Sequence, residues 1–520
     1  MYQRQRYPAG EQNFQKIRET EKVYIDKTNL IYDIVNNYSY VFLSRPRRFG
    51  KSLLLSTLQA FFEGKKELFN DLSISKLEKD WKTYPVIHLE LSRFNPNSEK
   101  SLESLIHRQF NEWEEIFEIK NNDYELSQRF ENIIKRAKKQ TGENVVILID
   151  EYDNPLINTL HKPEIHEFNR ELLKSIYSNL KALDGYIRFA MLTGVTRFSK
   201  MTIFSGLNNL TDITFHDKYS AICGFTEMEI KEKLWPGVIY LGENNGWTPE
   251  EAMQKLKEEY DGYHFSKKSP DIYNPYSVLR ALEKEEIEAF WVDTATPEFL
   301  VRKLRETDEP LSEIFNESAD SETLAEPDTA FSSPLALLFQ TGYLTIKGYD
   351  PDNREYKLGV PNKEVHRGLF TSLLSYMLEK DRRRSKNDVR EMEKFLKDGE
   401  PDKFLIKLQS FLAGVPNSIM PKYPEAYFEH ALYIILQVMS VKSRVEVETS
   451  DGRIDLLVET EGYIYIVEIK LDGSSEKAIK QIEEKKYGLP YKTDGRKVFN
   501  IGVNFSSKTR NITDWIIKDK

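Results

Sequence analysis

A chain of 520 residues with 40% hydrophobic and 30% charged residues is too long for one core and too apolar for disorder, so several globular domains are expected. The net charge of −9 excludes a protein that coats nucleic acid with its whole surface, although the 74 Lys and Arg leave room for a local basic groove. The single cysteine, Cys223, excludes intramolecular disulfides and cysteine-based zinc sites, and no apolar run reaches the ~20 residues of a membrane span. With no signal-peptide core in "MYQRQRYPAG", the expectation is a cytoplasmic protein.

In chain order, "YVFLS" (40–44), "PVIHLELS" (85–92), "NVVILID" (144–150) and "YIRFAMLTG" (186–194) are continuous apolar runs. Parallel strands buried on both faces read this way, and the amphipathic helices between them predict an α/β sheet covered on both sides. A long charged helical stretch fills about 98–140.

Directly after the first run stands "RPRRFGKS" (45–52). Gly50, Lys51 and Ser52 have the form of a phosphate loop: close backbone approach, a lysine for the β/γ oxygens, and a hydroxyl for the Mg²⁺ shell. The first glycine of that pattern is replaced by Arg45, and Arg45, Arg47 and Arg48 offer cationic phosphate donors instead. Standing alone, the motif would read as a chance GKS on an amphipathic helix. It is joined by Asp150 and Glu151 at the end of the third run, where an aspartate holds the Mg²⁺ water shell and a glutamate polarises the attacking water. One apolar run lies between these motifs, consistent with a sheet of the additional-strand type. In "MLTGVTRFSK", Thr193 takes the position of a γ-phosphate sensor, and Arg197 is either an arginine finger or an ordinary surface arginine.

"RPRRFGKSLLLSTL", "YIDKT" (24–28), "LIDEYDNPL", "LTGVTRFSK" and "YDGYHF" (260–265), in that order, together resemble the AAA-ATPase-like family over roughly 1–280. The resemblance makes Arg45 the family's own pattern and implies ATP binding. It also leaves a homo-oligomer open, in which Arg197 serves a neighbouring subunit.

From about 225 the chain turns to shorter helices and aromatic turns, "DNREYKLGVPN" (353–363) fits a hairpin of a lid or winged-helix element, and the acidic 316–333 reads as an exposed loop. After "KDGEPDKF" (397–404) the pattern predicts helices, two strands, a helix and a final strand. The expected domains are thus an ATPase domain over 1–270, a helical or winged-helix-like region over 271–398 and an α/β nuclease-like domain over 399–520.

In "DGRIDLLVETEGYIYIVEIKLDG" (451–473), a two-residue turn at Glu461-Gly462 sets Asp455 opposite Glu468, with Lys470 on the same face. Two carboxylates beside a backbone carbonyl suit Mg²⁺ or Mn²⁺, and the lysine can orient water or steady developing charge. An acidic pair across a hairpin is often only a surface ion pair, but the apolar flanks Tyr465, Ile466, Val467 and Ile469 predict a central strand, where buried carboxylates need a reason. The arrangement resembles the PD-(D/E)XK nuclease superfamily, with its restriction-endonuclease-like fold, over about 400–520. That resemblance assigns Asp455, Glu468 and Lys470 to the catalytic set and adds Glu429 and Gln481 as accessory residues. The basic stretch 493–511 is either a contact to a nucleic-acid backbone or a solvated surface. Together these readings predict ATP-coupled, metal-dependent cleavage of nucleic acid, with DNA the favoured substrate. The alternative is a nucleotide switch whose nuclease fold only binds.

Overall fold

The computed structural model describes residues 4–96, 100–120, 124–197, 209–291, 300, 303–304, 311–325, 334–377, 382–414, 424–439, 441–449 and 452–519. Side chains of 325, 376–377, 382–386, 424–430, 446, 448 and 449 lie outside that description. The chain divides into two compact units, Met1–Ala295 with Glu317–Val365, and Thr296–Asn316 with His366–Lys520.

In the first unit the four apolar runs are strands β1 (Tyr40–Ser44), β2 (Val86–Glu90), β3 (Val145–Asp150) and β4 (Ile187–Gly194). A short fifth strand, β5 (Thr211–Asp212), was not expected. All pair in parallel, in the order β2-β3-β4-β1-β5. The strand inserted between the phosphate-loop strand β1 and the carboxylate strand β3 is β4, whereas β2, which separates the motifs in sequence, lies at the edge. Burial follows this order: β1 and β3 are buried at every position, while the edge strand β2 alternates. The charged stretch after β2 resolves into two helices, Ser101–Ile116 and Leu126–Thr141. They are joined by stacked Phe110 and Phe130, 5.6 Å apart, and by a buried Arg129–Glu114 ion pair of 2.6 Å.

The helices Trp235–Asn245, Pro249–Tyr260 and Pro275–Lys284 share one apolar core with Ile25 near the N-terminus. A domain boundary at 270 would cut this core, which corrects the three-domain expectation. The middle region is instead divided between the units, with Glu317–Val365 in the first. There, β6 (Ser318–Ala319), β7 (Thr345–Asp350) and β8 (Glu355–Gly359) form a small antiparallel sheet in the order β6-β8-β7, so the expected hairpin exists but begins earlier than 353. Ala319 and Leu324 are buried, so the acidic segment is not a plain exposed loop; 326–333 lies outside the described residues.

Glu364 is buried in this unit, accepting from Ser277 Oγ at 2.8 and 3.0 Å and from the Trp291 backbone N–H at 2.7 Å. Burial pushes its carboxyl up to about 7. The folded state therefore keeps a proton that the unfolded chain releases earlier. The stability this contributes is complete below the ordinary glutamate range and is lost as pH rises through about 7. Urea midpoints of the wild type should fall as pH rises from the ordinary glutamate range to about 7 and level off above it, and Glu364→Gln should flatten that fall. An unchanged slope in the variant would assign the pH dependence elsewhere.

In the second unit β9 (Lys442–Thr449), β10 (Gly452–Glu459), β11 (Tyr463–Leu471), β12 (Lys497–Ser506) and β13 (Asn511–Asp519) form a mixed sheet in the order β13-β12-β11-β10-β9. Three strands precede the helix Ser475–Glu484 and two follow it, in place of the expected two and one. Only β11 and β12, which that helix connects, run parallel. The helix packs through Ile479 and Ile482 on the face carrying Leu457, Ile464 and Ile466. On the other face Tyr465 stacks on Phe499 and its hydroxyl donates to the Leu396 carbonyl at 2.6 Å. As expected from its flanks, β11 is the central strand.

Candidate nucleotide and nuclease sites

The helix Lys51–Phe62 begins where β1 ends, and the turn between them needs Gly50 at φ +97°. A cleft of about 440 Å³ opens at this helix N-terminus, lined by Arg47, Arg48, Gly50, Lys51, Ser52 and Glu151. The same cleft is also lined by Val23, Tyr24, Ile25, Phe225, Pro275, Tyr276 and Leu279, a largely apolar set that the sequence reading did not assign. Arg48 lies 5.0 Å over the Tyr276 ring. "YIDKT" supports the rim: Asp26 binds the Thr28 and Ser73 backbone N–H groups and hydroxyls, while Tyr24, Ile25 and Lys27 line the cleft.

Lys51 is buried, and its Nζ donates to the carbonyls of Arg45 at 2.9 Å and Pro46 at 3.0 Å. Burial lowers its pKa against the opposing pull of Glu151, Asp150 and Asp153. Glu151, at φ +51°, faces the cleft; burial raises its pKa and Lys51 counters. Asp150 is buried behind it and accepts from Thr193 Oγ1 at 2.7 Å, so the sensor-position hydroxyl is spent on the carboxylate. Sequence reasoning missed Asp153, which accepts from the Val195 N–H at 2.9 Å and Thr196 Oγ1 at 2.6 Å and so ties the β3 end to the β4 end. Its place three residues after Asp150 was the available signal.

Two expectations are corrected. Arg45 does not line the cleft; its side chain turns back into the protein and donates to backbone carbonyls. Arg197 is neither a projecting finger nor a plain surface residue: it is ion-paired with Asp212 and lies over the Phe215 ring.

The donor set that does face the cleft fits a nucleoside polyphosphate. Lys51, Arg47, Arg48 and the first-turn N–H groups would meet the phosphates, Ser52 with Asp150 would hold the accompanying Mg²⁺, and the apolar lining residues suit a base.

In the second unit the turn is Glu461-Gly462, closed by Thr460 N donating to the Tyr463 carbonyl at 2.9 Å. The register pairs Leu456 with Val467, and one further step sets Asp455 opposite Glu468. Asp455 Oδ2 accepts from the Ile469 N–H at 2.7 Å. Lys470 Nζ donates to Glu468 Oε1 and to Gln481 Oε1, both at 2.8 Å, so Gln481 joins the cluster from the crossover helix. Burial raises the pKa of both carboxyls; Lys470 opposes this at each, while the Asp455 carboxylate adds to the rise at Glu468. Glu429 sits on the helix Pro424–Val438, with its side chain outside the described residues. In the basic stretch 493–511, Arg496 is tied to Asp494 and Glu459 and Lys497 to Asp519 at 2.8 Å, which removes two of its cations from an open contact surface.

The described residues contain no group of three His, Cys, Asp or Glu placed for a metal. Glu468 Oε2, however, is buried without a hydrogen-bond partner among them. Two carboxylates, one with an open oxygen, fit a hard divalent cation that keeps several waters. The helix reaches this cluster because β12 offers Gly502 opposite Glu468: a Cβ there would stand 2.6 Å from the Ser475 carbonyl and 2.7 Å from the Ile479 nitrogen. Gly502→Val should push the helix away, separate Gln481 from Lys470 and destabilise the unit by ~1–3 kcal/mol. Denaturant unfolding checks this, and a wild-type midpoint would show that the helix can give way.

The first unit is therefore an α/β domain with a phosphate-loop cleft, and the second is a mixed-sheet domain with an Asp…Glu-x-Lys cluster on its central strand. Residues 8–204 match the family model described as "Predicted AAA-ATPase", and 423–515 match that of the "PD-(D/E)XK nuclease superfamily". The chain is 32% identical over 529 aligned positions to a protein of Azotobacter chroococcum mcd 1 known as "Uncharacterized protein in vnfD 5'region", covering 99% of both. It belongs to the AAA-ATPase-like family with a C-terminal PD-(D/E)XK nuclease superfamily domain. A loose likeness in structure is to the Aeropyrum pernix ORC2 protein in ADPNP-ADP complexes, at 13% identity and a TM-score of 0.25, over 67% of this chain and 88% of that one. No helix among the described residues is long and apolar enough to cross a membrane.

Proposed function

We propose that the chain is an ATP-dependent hydrolase in which a nucleotide bound at Lys51 governs metal-dependent cleavage of phosphodiester bonds, with DNA as the favoured substrate. The observation that carries this reading is the complete Asp455, Glu468, Lys470 and Gln481 cluster, with an unpartnered buried carboxylate oxygen on the central strand. Asp455 and Glu468 would hold a Mg²⁺ or Mn²⁺ ion. Bound there, the cation supplies a lowered water pKa and neutralises charge on the phosphate. Lys470, oriented by Gln481, would hold the attacking water or the developing negative charge. At the other site Lys51, Arg47 and Arg48 bind phosphate, and Glu151 accepts a hydrogen bond from the hydrolytic water.

The second reading is a nucleotide-dependent switch whose nuclease fold binds without cutting. Plasmid, linear and single-stranded DNA and RNA, incubated with Mg²⁺ or Mn²⁺ with and without ATP, separate the two. Metal-dependent cleavage supports the hydrolase, whereas ATP binding with no cleavage of any substrate supports the switch.

A further inference from the structure

Arg45 stands where a phosphate loop ordinarily has its first glycine, and its side chain is 1% exposed. Its guanidinium donates to the carbonyls of Ser44 at 2.8 Å, Thr214 at 3.0 Å, Tyr219 at 3.2 Å and Ser220 at 3.5 Å, and it lies 4.2 Å over the Phe265 ring. No carboxylate among the described residues pairs with it, since Asp212 is taken by Arg197. Burying a cation on carbonyls and a ring face with no carboxylate partner is costly, and the cost is tolerable only where the geometry it fixes matters.

The rest of the loop is tied down in the same direction. The Arg47 carbonyl accepts from Trp291 Nε1 at 2.9 Å, and the Phe49 carbonyl accepts from Gly224 N at 3.1 Å. The Phe49 ring packs edge-on against Tyr263 and Phe265 of "YDGYHF". Lys51 in turn hangs from the carbonyls of Arg45 and Pro46. Where a glycine-first loop shapes itself by backbone freedom, this loop is held from behind by a guanidinium strut to the 214–220 segment.

We infer that Arg45 is the positioning residue of the nucleotide site: it never touches the nucleotide, and it sets the loop carbonyls that aim Lys51 at the phosphates. This rests on the nucleotide reading above. It runs against simple motif logic, because restoring the usual glycine should weaken the site rather than improve it.

Full-length wild type, Arg45→Gly, Arg45→Lys and Lys51→Ala would be titrated with Mg²⁺-ATP and with AMP by calorimetry. Arg45→Gly should weaken ATP binding by about tenfold or more while AMP binding changes little, because the loss falls on the β and γ phosphates. Arg45→Lys, which keeps the charge but not the planar fork, should recover part of the ATP affinity. General damage to the fold would instead weaken both ligands alike. If Arg45→Gly does not fold, the ATP-to-AMP ratio of Arg45→Lys decides. An unaltered ratio in the Arg45 variants, with ATP binding lost in Lys51→Ala, overturns the strut and leaves the nucleotide site standing. No ATP binding by the wild type overturns the nucleotide reading and this inference with it.

Discussion

Asp455→Asn should lower metal-dependent cleavage on the order of a thousandfold, equivalent to about 4 kcal/mol of transition-state stabilisation, without destabilising the protein. The amide oxygen can still accept from the Ile469 N–H, so the local backbone loses nothing. What disappears is the Asp455 charge, which contributes to the raised pKa of the buried Glu468. Removing it relieves repulsion, so the melting temperature should hold or rise while activity falls. A structural ion-pair role predicts the reverse pattern, with lost stability and little change in cleavage. Parallel melting curves and cleavage rates on one preparation decide between them, and ATP binding in the first unit serves as the internal control. Wild-type cleavage by Asp455→Asn would remove this cluster from the chemistry.

The parts of this molecule that the sequence made legible are those set by local physics. Central strands of a parallel sheet are buried on both faces, so β1, β3 and β4 stand out as apolar runs. A two-residue turn determines which residues face each other, so the Asp455–Glu468 juxtaposition could be counted out from Glu461-Gly462. Edge strands were harder. "TD" at β5 is too short and polar to register, and β9, "KSRVEVET", carries the charges expected of an edge. The direction of Arg45 was not legible, because a loop arginine beside a GKS faces the phosphate by default, and the carbonyls that claim it lie about 170 residues away in sequence. The domain boundary failed for the same reason. Composition marks where the helical texture changes, but the shared core of Ile25, Leu256 and Leu282 is a long-range fact. Gln481 was placed by family resemblance alone, and it is Gly502, on another strand, that lets its helix come close enough to reach Lys470.

Lys51→Ala should abolish measurable ATP binding, a loss of roughly a hundredfold or more in affinity, because one charge-assisted donor to phosphate is worth about 3 kcal/mol in a dry site. The substitution also strips the Arg45 and Pro46 carbonyls of their shared partner, but that ammonium is buried at a cost seen in its lowered pKa. The two effects oppose each other, so the resting stability of the variant should stay close to wild type. The ligand-induced part should vanish: saturating ATP stabilises a binding-competent fold by ~2.7 kcal/mol at a hundred times its Kd, and the variant should show no such thermal shift. Cleavage then tests whether the nucleotide governs the nuclease. If it does, Lys51→Ala should cut at the rate of wild type without ATP and ignore added ATP. If Lys51→Ala loses the thermal shift yet its cleavage still responds to ATP like wild type, the two activities share a chain without sharing control.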